Sequence, residues 1–205
     1  MSAQDEPRPT PMSAKQHGRQ AAVQAASSNL GYRTFFRQGE NGACSAYAPI
    51  NAQINLEQYS AQLYLAMSAH CECRSFRGFA HRLGAQAQEE TKHAMKLVTF
   101  LLDRGGKLEL GAISAPRADF GTVTQVFEKI LEHEKSITVK IAALFELSRA
   151  EKDYASEITL QWYVTEQVEE EANVGQIVDQ LKAVGEQGDG IWYLDSKMGK
   201  RVATA

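Results

Sequence analysis

Cysteine is scarce in this sequence, with three in 205 residues: Cys44, Cys71 and Cys73. Two of them form Cys-x-Cys within a helical stretch, where a step of two turns the side chains in different directions. Neither a disulfide framework nor a zinc knuckle is therefore expected, and the usage suits a reducing cytoplasm. Cys71 reads as a small apolar filler continuing a helical seam. Long hydrophobic runs are also missing. Ile141 to Phe145 is among the longest, far short of the ~20 apolar residues that a membrane span needs, so a soluble chain with no membrane partner is expected. An excess of positive charge is missing too. The formal net charge is -3 and the Lys and Arg residues are scattered among acids, without the basic stripe that would make nucleic acid an expected partner. Runs of β-branched residues at period two are absent as well, which leaves little room for a sheet.

What the sequence does contain is apolar helical periodicity, with 43% hydrophobic and 23% charged residues over a length sufficient for one domain with a sizeable core. Phe127, Ile130, Ile137, Ile141 and Leu144 fall at steps of three and four, the spacing of one buried helix face, and Glu134 occupies the position between Ile130 and Ile137. Leu160, Tyr163, Gln167, Glu170, Val174, Ile177 and Leu181 form a second row, so Gln167 and Glu170 stand where Leu is expected. Ile54, Glu57, Ala61, Tyr64 and Ser68 form a third; Leu83, Ala87, Glu90, Ala94, Leu97 and Leu101 form a fourth, with His93 one turn from Glu90. An unpaired carboxylate in an apolar interior costs several kcal/mol, so it becomes protonated, stays out, or finds a cation. For any one of these Glu residues, flanking the seam and reaching solvent is an adequate reading. Four helices each bringing an ionisable or amide group to the same depth point to a cation.

The helical pattern places five helices, at about residues 50–78, 82–105, 122–150, 152–185 and 189–200. Gly78 is expected to end the first, Gly105-Gly106 the second, and Gly185 with Gly188 and Gly190 the fourth. Thr122 and Gln125 have the spacing of a capping box. The connection from Gly106 to Gly121 is long enough to run the length of a bundle, which allows helices two and three to be parallel. The expected fold is all-α: a four-helix bundle with a long crossover between helices two and three and a short fifth C-terminal helix. Residues 1–45, rich in Ala, Ser, Gln, Pro and Arg without helical period, read as a poorly ordered extension, with an organelle transit peptide or a misassigned start codon as alternatives. Residues 46–205 read as the folded domain.

Carboxylates with one imidazole suit iron or manganese and, less selectively, zinc; the lack of thiolate in the seams argues against structural zinc. In symmetric di-iron carboxylate bundles two helices each supply a Glu and two each supply Glu-x-x-His. Here Glu90 and His93 make one complete half, and Glu57 and Glu134 match the single carboxylates. Gln167 and Glu170 replace the second Glu-x-x-His. One iron is thus expected at Glu57, Glu90 and His93, and another, held more weakly, at Glu90, Glu134 and Gln167. A second acidic set, Glu89, Glu166, Glu169, Glu170 and Glu171, is either a solvated helix face or a third metal position and exit path. Tyr64, two turns from Glu57, is placed to bond a ligand or donate an electron, or to serve as an ordinary buried Tyr on a core carboxylate. Met67 and Met95 read as packing residues, and no haem is assigned.

Read in order, the segments Asn55-Leu56-Glu57-Gln58-Tyr59-Ser60 and Ala87-Gln88-Glu89-Glu90-Thr91-Lys92-His93, then Glu134, then Leu160-Gln161-Trp162-Tyr163-Val164-Thr165-Glu166-Gln167-Val168-Glu169-Glu170-Glu171 resemble the bacterial non-haem ferritins over about residues 51–200. The resemblance implies a ferritin fold, a homo-oligomeric shell of twenty-four subunits, and oxidation of Fe(II) by dioxygen or hydrogen peroxide followed by deposition of a ferric mineral core. It also implies a two-iron ferroxidase centre at Glu57, Glu90, His93, Glu134 and Gln167, a third iron position at Glu89, Glu166, Glu169 and Glu170, and Tyr64 beside the centre. The family's first helix usually begins about ten residues before Asn-Leu-Glu, whereas here Pro49 bars a continuous helix across that stretch. The competing reading is a non-storage di-iron peroxidase of the rubrerythrin kind, but no Cys-x-x-Cys is present to hold its electron-transfer iron. A DNA-protecting mini-ferritin fits less well, since the ligands lie within one bundle and a fifth helix is expected.

Overall fold

The computed structural model describes residues 47–199, so the expectation for residues 1–45 lies outside the described residues. Five helices follow in order: α1 (Ala48–Cys73), α2 (Arg77–Asp103), α3 (Val123–Ala150), α4 (Tyr154–Val184) and α5 (Asp189–Met198). No strand occurs among the described residues. The seam residues of α2, α3 and α4 are buried along their full length, from Leu83 to Leu101, Phe127 to Leu144 and Leu160 to Leu181. On α1 the expected Ile54, Glu57, Tyr64 and Cys71 are buried, and the buried face also takes in Ser60, Leu63 and Met67, whereas Ala61 and Ser68 are half-buried at its edge.

The helix ends show where local chemistry sets the boundaries. Pro49 lies in the first turn of α1, where its missing N–H and fixed φ are no obstacle, so it opens the helix. Thr122 and Gln125 form the expected capping box at the start of α3. Asp153 caps α4 through the Ser156 N–H, and Gly185 closes α4 at φ 74°. Gly78 does not end the first helix. The break falls at Ser75, which adopts φ 66°, and Gly78 already sits in the first turn of α2. Its role is close approach: a Cβ there would lie 1.6 Å from the backbone oxygen of Asp195 on α5. Asp195 Oδ1 in turn accepts the Phe79 N–H at 2.9 Å, fastening α5 to the α2 N-terminus. Gly190 lies inside α5, so the closure of α4 falls to Gly185 alone.

The long link between α2 and α3 runs beside α1 along its whole length. Asn51, near the start of α1, donates to Lys107 O and accepts from Glu109 N, both at 2.9 Å. Asn55 donates to Ala112 O at 3.3 Å, and His70, near the end of α1, bonds Gly121 O at 2.8 Å. The chain therefore leaves α2 at one end of the bundle and enters α3 at the other, which makes α2 and α3 parallel. α4 returns antiparallel to α3, with Arg104 paired to Asp153 at its start and Thr124 N bonded to Glu186 just past its end.

The bundle interior holds two apolar clusters. One gathers Met67, Cys71, Phe79, Leu83, Phe127, Ile130, Ile177 and Leu181 toward the α5 end. The other gathers Tyr47, Ile50, Ile54, Leu97, Leu101, Ile137, Ile141, Leu160 and Tyr163 toward the opposite end. What separates them is a buried polar layer.

Candidate metal centre

That layer is built by all four long helices at mid-height. Glu57 and Ser60 come from α1; Gln86, Glu89, Glu90 and His93 from α2; Glu134 from α3; Gln167 and Glu170 from α4. Every one of them is buried. Each carboxyl of the layer is placed by the same helical arithmetic that places the leucines above and below it, so the backbone carries the acids into the core and solvent does not follow.

Glu57, Glu90 and His93 each offer a ligand atom, and these atoms lie within 4.8 Å of one another, the one such group of His, Cys, Asp or Glu among the described residues. His93 Nδ1 stands 3.6 Å from Glu90 Oε2. Opposite them, Glu134 accepts a hydrogen bond from the Tyr64 hydroxyl and another from Gln167 Nε2 at 3.1 Å. The same Gln167 nitrogen approaches the Glu134 carbonyl at 3.2 Å and Thr138 Oγ1 at 3.3 Å. Two further amides complete the layer. Gln53 Nε2 donates to Glu57 Oε1 at 2.7 Å, and Gln86 Nε2 donates to Glu90 Oε1 at 2.9 Å and to Glu170 Oε1 at 2.8 Å. The Tyr163 hydroxyl donates to His93 O at 2.7 Å, pinning α4 to α2 at the level of the imidazole. Trp162 stands edge-on to the His93 ring at 5.3 Å, with Lys96 Nζ 3.2 Å from the centre of the indole ring.

Electrostatically this is a site in want of positive charge. Burial, and then the Glu90 charge, push Glu57 from 4.5 up to about 8. Burial, and then Glu134, hold Glu90 well above the carboxylate range. Glu134 is raised by burial despite the opposing hydrogen bonds from Tyr64 and Gln167, and Tyr64 is raised by burial and by Glu134. Without a cation the layer therefore keeps protons. Glu57, Glu90 and His93 could hold a divalent ion, whose charge would take the place of those protons. Oxygen and imidazole donors without thiolate fit iron or manganese.

Of the residues singled out from sequence, Glu57, Glu90 and His93 meet as one group, and Glu134, Gln167 and Tyr64 meet on the facing side. The second acidic set is less gathered: Glu89 and Glu170 are buried, Glu166 and Glu171 half-buried, and Glu169 exposed. Glu171 is engaged by the Thr138 hydroxyl at 2.5 Å. Of the two methionines, Met67 is buried in the core while Met95 faces outward, 53% exposed. Sequence reasoning missed Gln53, Gln86, Thr138 and Tyr163. A signal for the first two was present: each lies four residues before a seam carboxylate, the spacing at which helix side chains touch.

The family profile for the ferritin-like domain matches residues 47–184. A probable bacterial non-heme ferritin-like protein of Haemophilus influenzae is 43% identical over 150 residues, covering 73% of this chain and 91% of the relative. A bacterial non-heme ferritin of Campylobacter jejuni is 44% identical over 146 residues, covering 71% and 87%. Among solved structures, an open-pore ferritin of Archaeoglobus fulgidus aligns with TM-score 0.74 at 40% identity, over 75% of this chain and 95% of that one.

Proposed function

This chain belongs to the ferritin family, and from that premise we propose that it is an iron-storage protein with ferroxidase activity, acting in the cytoplasm as a homo-oligomeric shell. The observation that carries this reading is the buried group of Glu57, Glu90 and His93, facing Glu134 and Gln167 within one polar layer. Fe(II) is the substrate. One ion is held by Glu57, Glu90 and His93. A second is held between Glu90 and Glu134, with the Gln167 side chain beside it as a neutral and therefore weaker partner. Two Fe(II) each give up one electron; dioxygen takes both with two protons and leaves as hydrogen peroxide. With peroxide as oxidant, the same two electrons and two protons yield two waters.

The protein's part is geometry and charge. Carboxylates stabilise Fe(III) over Fe(II), so burying three of them at the reacting ions favours oxidation. Tyr64 holds one oxygen of Glu134 through its hydroxyl and Gln167 holds the other through its amide, so the carboxylate is fixed in place within the layer. The neutral Gln167, standing where a symmetric site has a charged ligand, weakens the hold on the second ferric ion and lets product move on to the shell interior. Glu170 and Glu89, with Glu166 and Glu169 farther out, provide the third iron position and the first step of that path.

The test is the initial rate and oxygen stoichiometry of Fe(II) oxidation at low iron. Wild-type protein is expected to consume one dioxygen per two Fe(II), and His93→Ala to lower the rate by about tenfold to hundredfold, the loss typical of disturbing metal-site residues. A His93→Ala rate equal to wild type would refute the assignment of the centre.

A further inference from the structure

Gln86 plays no part in the reading above, yet its amide bridges two carboxylates of the polar layer. It lies on α2 four residues before Glu90 and is 4% exposed. Its single amide nitrogen sits between two carboxylates from different helices, 2.9 Å from Glu90 Oε1 and 2.8 Å from Glu170 Oε1. An amide NH2 has two hydrogens, and this geometry directs one at each acid. No ionised side chain could do the same: a Glu here would add a third negative charge, and a Lys would neutralise the pair and compete with the metal.

We propose that Gln86 is a positioning residue that couples the two-iron centre to the third iron position by holding Glu90 and Glu170 through one amide group. The proposal rests on the storage reading, in which Glu90 belongs to the centre and Glu170 to the third position. Its physical content is that neither carboxylate can reorient toward a metal without changing the hydrogen bond that the other receives. When Glu170 turns outward to take iron, the amide nitrogen keeps its bond to Glu90, and the Glu90 carboxylate is held in one orientation. Conversely, iron drawing Glu90 inward frees the amide to follow, which loosens Glu170. Such a link is reciprocal: whatever Glu170 does to the affinity of the centre, filling the centre does to the third position. Hydrogen bonds to charged groups are the stronger kind, so the link corresponds to about tenfold in affinity.

The experiment is a double-mutant cycle on the intact oligomer, read by anaerobic Fe(II) titration of the two-iron centre. Glu170→Gln removes a charge that acts directly on Glu90 in every background, so the link is read as the difference: the change in affinity is expected to be about tenfold larger in the wild-type background than in Gln86→Met, which keeps an unbranched side chain of similar volume but donates nothing. Gln86→Asn, which keeps the amide on a stem too short to span both acids, is expected to behave as Gln86→Met does and serves in its place if that variant does not assemble. An equal effect of Glu170→Gln in wild-type and Gln86-substituted protein would overturn the coupling. Wild-type protein that binds no Fe(II) at the centre would overturn the storage reading and this inference with it, and the two failures are told apart by the wild-type titration alone.

Discussion

Raising the pH should destabilise the iron-free protein, and Glu57 sets the size of the effect. Its carboxyl ionises near 4.5 in an unfolded chain and at about 8 in the folded one, because burial disfavours the charge. A raised folded-state value means that folding favours the protonated form. The associated stability is fully present below pH 4.5 and is lost as the pH climbs through 8. Each pH decade inside that window is worth about 1.4 kcal/mol, so Glu57 alone contributes roughly 5 kcal/mol across it and about 3 kcal/mol between pH 5 and pH 7. For a chain of this size the latter corresponds to a fall in unfolding temperature of roughly 6–12 °C. Glu90 and Glu134 are raised by burial as well and act in the same direction. The assay is thermal unfolding of iron-free protein at a series of pH values, beside Glu57→Gln, which keeps the shape and removes the titration. Wild-type protein should lose stability relative to the variant as pH rises, and a redox-inert divalent ion should restore it at pH 8 by taking the place of the protons. Parallel pH profiles for the two proteins would refute the account of the buried layer.

Two further substitutions separate the chemistry from the scaffold. Tyr64→Phe removes the hydroxyl that holds Glu134; stopped-flow kinetics should show slower Fe(II) oxidation by about tenfold, with an unfolding temperature at pH 6 within a few degrees of wild type. Gly78→Ala places a Cβ 1.6 Å from the Asp195 carbonyl oxygen, so α5 must leave its seat. Ile191 and Leu194 then lose their burial, at a cost of about 1.5–3 kcal/mol each. Limited proteolysis should cleave after Val184 while the oxidation rate stays near wild type.

The fold was legible wherever a residue's role is periodic. The buried rows through Leu83, Phe127 and Leu160 appear in the sequence because only core-facing positions keep a strict three-and-four spacing, and their polar interruptions marked Glu90, Glu134 and Gln167 for the same reason. Crossover topology followed from the length of the link, since a tight turn could not consume the residues from Gly106 to Gly121. Positions whose role depends on a distant partner were not legible. Gly78 looks like a helix stop, and only the packing of Asp195 against it shows that it permits close approach instead. Ser75, which carries the left-handed turn, has no glycine-like signature. Gln53 and Gln86 look like ordinary flanking polar residues until the carboxylates they serve are in place. On α1 the row is right at Ile54, Glu57 and Tyr64 and drifts to the edge at Ala61 and Ser68, which are small enough to fit either side of the seam.

Storage is read out as iron content against particle size after aerobic loading with a large excess of Fe(II), by size-exclusion chromatography with light scattering and iron detection. A storage shell should give iron far above two per chain, eluting with a particle of roughly twenty-four chains, since only an enclosed mineral exceeds what the centre itself can hold. A small oligomer retaining about two irons per chain would contradict it, and would make the same buried layer a resident redox cofactor.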